Sequence, residues 1–486
     1  MHMKNSGNFG GLYRPLGDNQ IKAIHEASLT ILEDTGISCE SGQEEFLARL
    51  EKRGAKIDRI KSRIRFEKDL VTEAVSQAPD RVVLYSRDGE NDLELAEDQV
   101  HFGTGGTTTN VLDPETGECR PSTVKDVYHL ARLTDYLDNV DLYIRPCTPL
   151  DIPANAYDVN ICYAGLKGTR KHVMMGIFEE NRLSDVIDLA SMIAGGKENL
   201  RQRPFISFYT SFSISPLQQT NKATQIMREA IENRLPISIG AAPMAGLTGP
   251  ITIAGTLTLT HAEVLAGITI GQLLNPGAPV LYGGFPTRAD MATADFLVGT
   301  IECGMMNAAV HQLAKYIKIP NCSSCGFTDS KIPDAQAAWE CAMLILTAAM
   351  GGSNLIRHAG GGVLESAMTI AYEQIIMNDE IIGMARRLLK GIDVSEEHIG
   401  MELIKILGPG GNFLDSDHTL KFMRSEYFYG NGITNRDQRE KWIRDGAEDS
   451  RLRARKMVDK ILSAPENSYI SADVDQAIRQ KYPIYL

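Results

Sequence analysis

From about residue 98 onward, short apolar runs rich in β-branched residues alternate with longer stretches whose apolar positions recur at helical spacing. The runs fall at 100–103, 140–145, 172–177, 205–209, 236–241, 279–283, 319–323 and 354–358. Helical patterns begin near Thr123, Asn155, Glu179, Gln218, Ile251, Met291, Asp334 and Glu365. Strands alternating with helices predict parallel pairing through right-handed crossovers. Eight such units are what a closed (β/α)8 barrel needs; an open doubly wound sheet is the alternative, because alternation alone does not show closure. The pattern thus divides the chain into a helical and briefly extended N-terminal segment (1–97), a barrel (98–395) and a mostly helical C-terminal extension (396–486).

The N-terminal segment predicts a helix over 18–34, a second around Phe46 to Leu50 and a strand over 81–85. The stretch 442–462 is charge-rich and amphipathic, a pattern that packs on the barrel or on a neighbouring subunit. The apolar stretches 251–274 and 337–350 are interrupted by Thr, His, Glu, Gln or Gly, so no membrane span is expected.

Composition narrows the function. With 486 residues, 43% of them hydrophobic, the chain can build a large core. Its formal net charge of −12 and lack of a basic run argue against a nucleic-acid groove. Eight irregularly spaced cysteines do not form a disulfide framework, and a reducing cytoplasm is the natural reading.

In a barrel the active site lies at the C-terminal ends of the strands. Here those ends are rich in glycine and aromatic residues and poor in carboxylates, Asp329 being the exception. The loop from Gly103 to Thr107 lacks the GxGxxG context of a dinucleotide fold. Cys322 and Cys325 form a lone CxxC, for which structural thiols are the expected reading and zinc the alternative. Arg357 and His358 end the eighth run and suit an anionic group such as a carboxylate. Phe102, Tyr209, Phe212, Tyr282, Phe285 and Phe327 offer ring faces that either fill the core or hold a quaternary ammonium by cation–π attraction.

The run GFTDSKIPDAQA (326–337) resembles the trimethylamine methyltransferase superfamily, as do NLIRHAGG (354–361) and FGTGG (102–106), and the similarity covers nearly the whole chain. That resemblance implies a (β/α)8 barrel that transfers a methyl group to the cobalt of a separate corrinoid protein, with no cofactor bound permanently. Ala335 stands where the archaeal trimethylamine enzymes of this superfamily carry pyrrolysine, so the chain resembles the glycine betaine branch. A quaternary nitrogen leaves as a neutral amine, so neither a general acid nor a base is expected and the hard chemistry belongs to the Co(I) corrinoid. On this reading Tyr209, Phe212, Tyr282 and Phe327 cage the ammonium, and Arg357 with His358 binds the carboxylate. Gly103, Gly105, Gly106, Gly283, Gly284, Gly360 and Gly361 leave room for the corrin ring. The expected partners are a cognate corrinoid protein, a small quaternary amine and further copies of the chain in a homo-oligomer. The rivals are a zinc-dependent methanol or thiol methyltransferase and a non-catalytic betaine-binding protein.

Overall fold

A computed structural model describes residues 9–486. All eight runs form strands: β1 (His101–Phe102), β2 (Tyr143–Ile144), β3 (Val173–Met175), β4 (Ile206–Ser211), β5 (Ile237–Ala241), β6 (Val280–Gly284), β7 (Cys322–Ser324) and β8 (Leu355–Arg357). Parallel ladders join β2 to β3, β3 to β4, β4 to β5, β5 to β6, β7 to β8 and β8 to β1. Single parallel bridges, Gly103 to Leu142 and Tyr282 to Asn321, link β1 with β2 and β6 with β7. The succession of neighbours therefore returns to its starting strand within a mixed α/β fold.

A helix follows each strand: α1 (Val124–Tyr136), α2 (Tyr157–Gly168), α3 (Leu183–Ala194), α4 (Asn221–Glu232), α5 (Ile253–Leu274), α6 (Ile301–Tyr316), α7 (Ala335–Gly351) and α8 (Tyr372–Leu389). Local chemistry sets their starts. Thr123 and Asp126 form a capping box on α1, while Thr220, Thr252 and Asp334 each accept a backbone N–H at the head of α4, α5 and α7. α5 has the length and apolarity of a membrane span, yet 78% of its most apolar window is buried between the strands and the N-terminal helices.

α6 and α8 start later than their periodicity suggested, because short strands intervene. Thr287–Ala289 pairs with Met244–Ala245 and Phe296–Leu297. Val363–Leu364 and Thr369–Ala371 join Asn110–Leu112 and Cys119–Pro121 in a four-stranded sheet. Both small sheets are built from the segments that follow the C-terminal ends of β1, β5, β6 and β8.

Strand pleat separates two cores. Phe208, Ile237, Val280 and Ile356 point outward into the large core shared with the helices. Leu142, Ile144, Met174, Leu281, Cys322 and Leu355 point inward and pack with Val82, Leu84, Leu93 and Leu95. The latter four belong to the hairpin Val82–Leu84/Leu93–Leu95, which confirms the strand expected near residues 81–85. This hairpin lies against the N-terminal strand ends: His172 bonds the Tyr85 carbonyl and His101 that of Glu94, each at 2.9 Å.

At the C-terminal side of the chain, Ser450–Ser463 buries Ala454, Val458 and Ile461 against α8 and α1. The tail then returns to α2, where Asn160 binds the Pro483 carbonyl at 2.9 Å.

Candidate functional site at the strand ends

The first element of the site is a set of inward-facing rings. Tyr209 lies on the inward side of β4, with its ring against Gly176, where an added Cβ would come within 2.7 Å of the ring. Phe285, just beyond β6, lies against Gly240 in the same way, at 3.0 Å. Side chains at either glycine would push the rings away, so these two glycines fix the ring positions.

Two guanidinium groups converge on those rings. Arg145, one residue past β2, places Cζ 4.4 Å from the Phe178 ring and 5.8 Å from the Tyr209 ring. Its Nη2 donates to the Tyr209 hydroxyl at 2.9 Å and its Nε at 3.3 Å. Arg357, at the end of β8, places Cζ 4.4 Å from both the Tyr209 and the Phe285 ring. Arg145 is only 4% exposed. Arg145 Nη1 and Arg357 Nε and Nη1 are buried with no hydrogen-bond partner among the described residues. In a chain with 62 acidic residues, two sheltered cations that form no ion pair among the described residues stand out, the nearby buried Asp158 being engaged instead by the N–H groups of Phe178 and Glu179. A buried charge is expensive unless paired, so this arrangement suits an anion that arrives from outside.

His358 follows in a left-handed backbone conformation, φ 76°. It is held there by its N–H to the Thr104 carbonyl at 3.0 Å, by Nδ1 to Ser324 Oγ at 2.9 Å, and by stacking on Phe327 at 3.9 Å. Burial, reinforced by the neighbouring Arg357 charge, pushes its imidazole well below the usual histidine range. His358 is therefore neutral near pH 7 and contributes hydrogen bonds, not charge.

The structure brings together Tyr209, Phe327, Arg357 and His358 of the expected set, and adds Arg145, Phe178 and Phe285. It does not bring Phe212 or Tyr282 to the mouth. Phe212 is fully buried and lies against Gly267 of α5. Tyr282 is fully buried and its hydroxyl is 2.8 Å from His261 Nδ1, also on α5. Both sit on the outward side of the pleat. Phe102 shares that side, with the Arg386 guanidinium of α8 at 5.1 Å from its ring.

The glycines are explained by packing within the chain. A Cβ at Gly103 would meet Ile144 at 2.8 Å, at Gly106 the Pro146 carbonyl, and at Gly283 the Ile239 carbonyl at 2.7 Å. At Gly284 it would meet Val310 at 2.9 Å, at Gly360 Val140 at 2.7 Å, and at Gly361 the Gly105 carbonyl at 2.6 Å. Each missing side chain is thus accounted for by the protein's own close packing. Gly105, at φ 140°, lets the chain pass 3.1 Å from the His358 ring and 3.2 Å from Arg357 Cγ.

The remaining polar candidates are structural. Asp329 accepts the N–H groups of Val298 and Gly299 at 3.1 and 3.0 Å and the Ser366 hydroxyl at 2.7 Å, tying three loops together. Cys322 points into the strand interior, whereas Cys325 packs in the outer core, so the CxxC spacing separates the thiols. Burial raises both, Cys322 to about 11. Among the described residues no group of three His, Cys, Asp or Glu side chains is disposed to hold a metal ion. Ala335 is the exposed first residue of α7.

Arg145 and Phe285 were visible in the sequence as strand-end residues. The signal that singles out Arg145 is its position: it directly follows β2 as Arg357 ends β8.

Residues 3–482 match the family described as trimethylamine methyltransferase (MTTB). A trimethylamine methyltransferase MttB of Desulfitobacterium hafniense is 36% identical over 90% of this chain and 87% of its own length. A glycine betaine methyltransferase of the same species is 31% identical over 98% and 96%. Among solved structures, the monomethylamine methyltransferase MtmB of Methanosarcina barkeri aligns with a TM-score of 0.52 at 13% identity, covering 93% of this chain and 89% of that one. At that identity the likeness concerns the fold alone. Taken with the near-complete match, these similarities make the chain a methyltransferase belonging to the trimethylamine methyltransferase family.

Proposed function

We propose that this methyltransferase, built on a (β/α)8 barrel, removes a methyl group from a carboxylate-bearing quaternary amine of the betaine class and releases the tertiary amine. The observation that carries the reading is the pair of guanidiniums of buried Arg145 and half-buried Arg357, whose Nη1 (Arg145) and Nε and Nη1 (Arg357) are sheltered and lack any partner among the described residues. A substrate that is only a cation would be repelled there. A betaine brings an anion for the guanidiniums and an ammonium for the rings, and a glycine betaine methyltransferase is among the relatives. Glycine betaine is the leading candidate within the class.

The acceptor on this reading is the Co(I) corrinoid of a separate partner protein, which supplies the nucleophile. The chain's own residues bind and orient. Arg145 and Arg357 hold the carboxylate, while Tyr209, Phe285 and Phe327 face the ammonium. Holding the N–CH₃ bond in line, with reacting atoms about 3–3.5 Å apart, replaces a search in solution by a fixed geometry. No proton moves at the nitrogen, consistent with a neutral His358 and with Asp329 engaged in loop clamping.

The test is methylation of Co(I) cobalamin by the purified chain with glycine betaine, proline betaine, carnitine and trimethylamine. Methyl transfer from a betaine but not from trimethylamine is expected; transfer from trimethylamine alone overturns the reading.

We also propose a homo-oligomer held through residues 391–445. Their helices Glu396–Ile399, Met401–Leu407, Asp417–Phe422 and Arg439–Arg444 have four to seven residues, too few to persist alone. Ile392, Ile406 and Leu414 are 83%, 79% and 70% exposed, and Ile433 is the one buried hydrophobic residue of that stretch. Apolar surface on such short helices needs permanent cover, which a second copy provides and a partner that leaves in each turnover does not. Light scattering of the double variant Ile406→Glu, Leu414→Glu tests this: a smaller species than the parent is expected, and an unchanged mass rejects it.

A further inference from the structure

The two guanidiniums are held differently. Arg145 is anchored by two hydrogen bonds to the Tyr209 hydroxyl, at 2.9 and 3.3 Å, and by the Phe178 face. The Arg357 Nε and Nη1 have no hydrogen-bond partner among the described residues; the guanidinium lies between the faces of Tyr209 and Phe285, 4.4 Å from each centroid. Without ligand, therefore, the ring pair already holds a cation, and that cation belongs to the protein.

We propose that Arg357 is a specificity determinant that occupies the ammonium position of the Tyr209–Phe285 pair and yields it only to a substrate carrying an anion. This rests on the betaine reading above. The substrate carboxylate draws the guanidinium off the rings into charge-assisted hydrogen bonds, and the trimethylammonium group takes its place. A cation without an anion gives Arg357 nothing to move towards, and it would also face the fixed charge of Arg145. Bare methylammonium ions are excluded for that reason.

The surroundings allow this exchange to be local. The backbone beside Arg357 is fixed by the His358 N–H to Thr104 and by the Ser324 and Phe327 contacts of its ring. The rings are seated on Gly176 and Gly240, so they remain in place when the guanidinium leaves. The absence of a side chain at Gly105 leaves the path beside Arg357 Cγ clear. A side-chain rotation therefore suffices.

Calorimetric titration with glycine betaine and with tetramethylammonium, both without corrinoid, tests the proposal. The parent chain is expected to bind the betaine and not tetramethylammonium. Arg357→Gln, which empties the ring pair, is expected to bind the betaine at least tenfold more weakly and to gain tetramethylammonium binding. Arg357→Lys, whose compact ammonium cannot lie flat between the rings, should show the same gain to a smaller extent and serves if Arg357→Gln does not fold. If the parent binds betaine but neither variant gains tetramethylammonium, the occupancy role of Arg357 falls while the betaine reading stands. If the parent binds no betaine yet a variant gains tetramethylammonium, the role of Arg357 stands and the betaine reading falls.

Discussion

Replacing Arg145 by methionine separates a ligand-binding role from a structural one, because the first predicts a small change in stability with a large loss of binding and the second the reverse. In the parent chain Arg145 is 4% exposed and its Nη1 has no partner among the described residues. A charge that awaits a ligand is a burden on the empty fold. Exchanging buried ionic groups for apolar ones of similar volume is neutral or stabilising by about 1–4 kcal/mol. Against this stand the lost charge-assisted bonds from Nη2 and Nε to the Tyr209 hydroxyl, worth about 1.5–3 kcal/mol. The two terms roughly offset, so Arg145→Met should unfold within about 2 kcal/mol of the parent. Ligand binding should weaken. A hydrogen bond between charged groups contributes about 1.5–3 kcal/mol, and a loss of about 2 kcal/mol raises the betaine Kd roughly 30-fold. The assays are equilibrium urea unfolding of the empty chain and calorimetric titration with glycine betaine. A guanidinium that served the fold would behave otherwise: breaking a buried pair costs about 3–5 kcal/mol. Lower stability by that amount together with an unchanged betaine Kd would refute the reasoning.

Two further outcomes follow from buried titratable groups. His172 is engaged at both nitrogens, by the Tyr85 carbonyl and Ser207 Oγ, and burial lowers its imidazole to about 4. The unfolded chain then binds the extra proton below about pH 6.5, so stability is complete above that pH and falls as pH drops towards 4, by about 2 kcal/mol at pH 5. Urea midpoints at pH 7.5 and 5.0 should differ less in His172→Gln than in the parent; an equal difference rules the group out. Cys322, raised to about 11 by burial, should resist iodoacetamide at pH 7.5 in the native chain while the exposed Cys119 is alkylated, as peptide mass spectrometry would show. Protection of Cys322 and Cys325 together by added zinc, measured in partly unfolded chain, would instead favour a metal site.

The eight-strand circuit was legible because its signal is local. Each run is short and β-branched, each is followed by a helical period, and Thr123 and Asp334 stand at helix starts where their side chains cap. The small sheets over the strand ends were not legible. Their strands have two or three residues, and Asn110–Leu112 finds its partner at Thr369–Ala371, far along the chain. Local periodicity carries no trace of such a pairing, so helices α6 and α8 were expected too early.

The methyltransferase family was readable from the motifs, whereas of the four expected rings only Tyr209 and Phe327 come to the mouth, because pleat parity decides which ring faces it. On β4, Ser207 meets His172 inside, which puts Tyr209 inside as well and sends Phe208 and Phe212 to the helices. On β6, inward Leu281 places Tyr282 outside, and Phe285 beyond the strand supplies the ring. Parity makes a paired prediction with opposite readouts. Tyr282→Phe removes a buried bond to His261 and should cost about 1 kcal/mol of stability with betaine binding unchanged. Tyr209→Phe removes the acceptor that anchors Arg145, so betaine binding should weaken several-fold, at most a tenfold loss for about 1.4 kcal/mol. The ring face that contacts Arg357 is retained in that variant, so the binding loss reports the hydroxyl alone. If Tyr282→Phe weakened betaine binding while Tyr209→Phe left it untouched, the two faces of the strands would have to be exchanged, and the guanidinium pair with them.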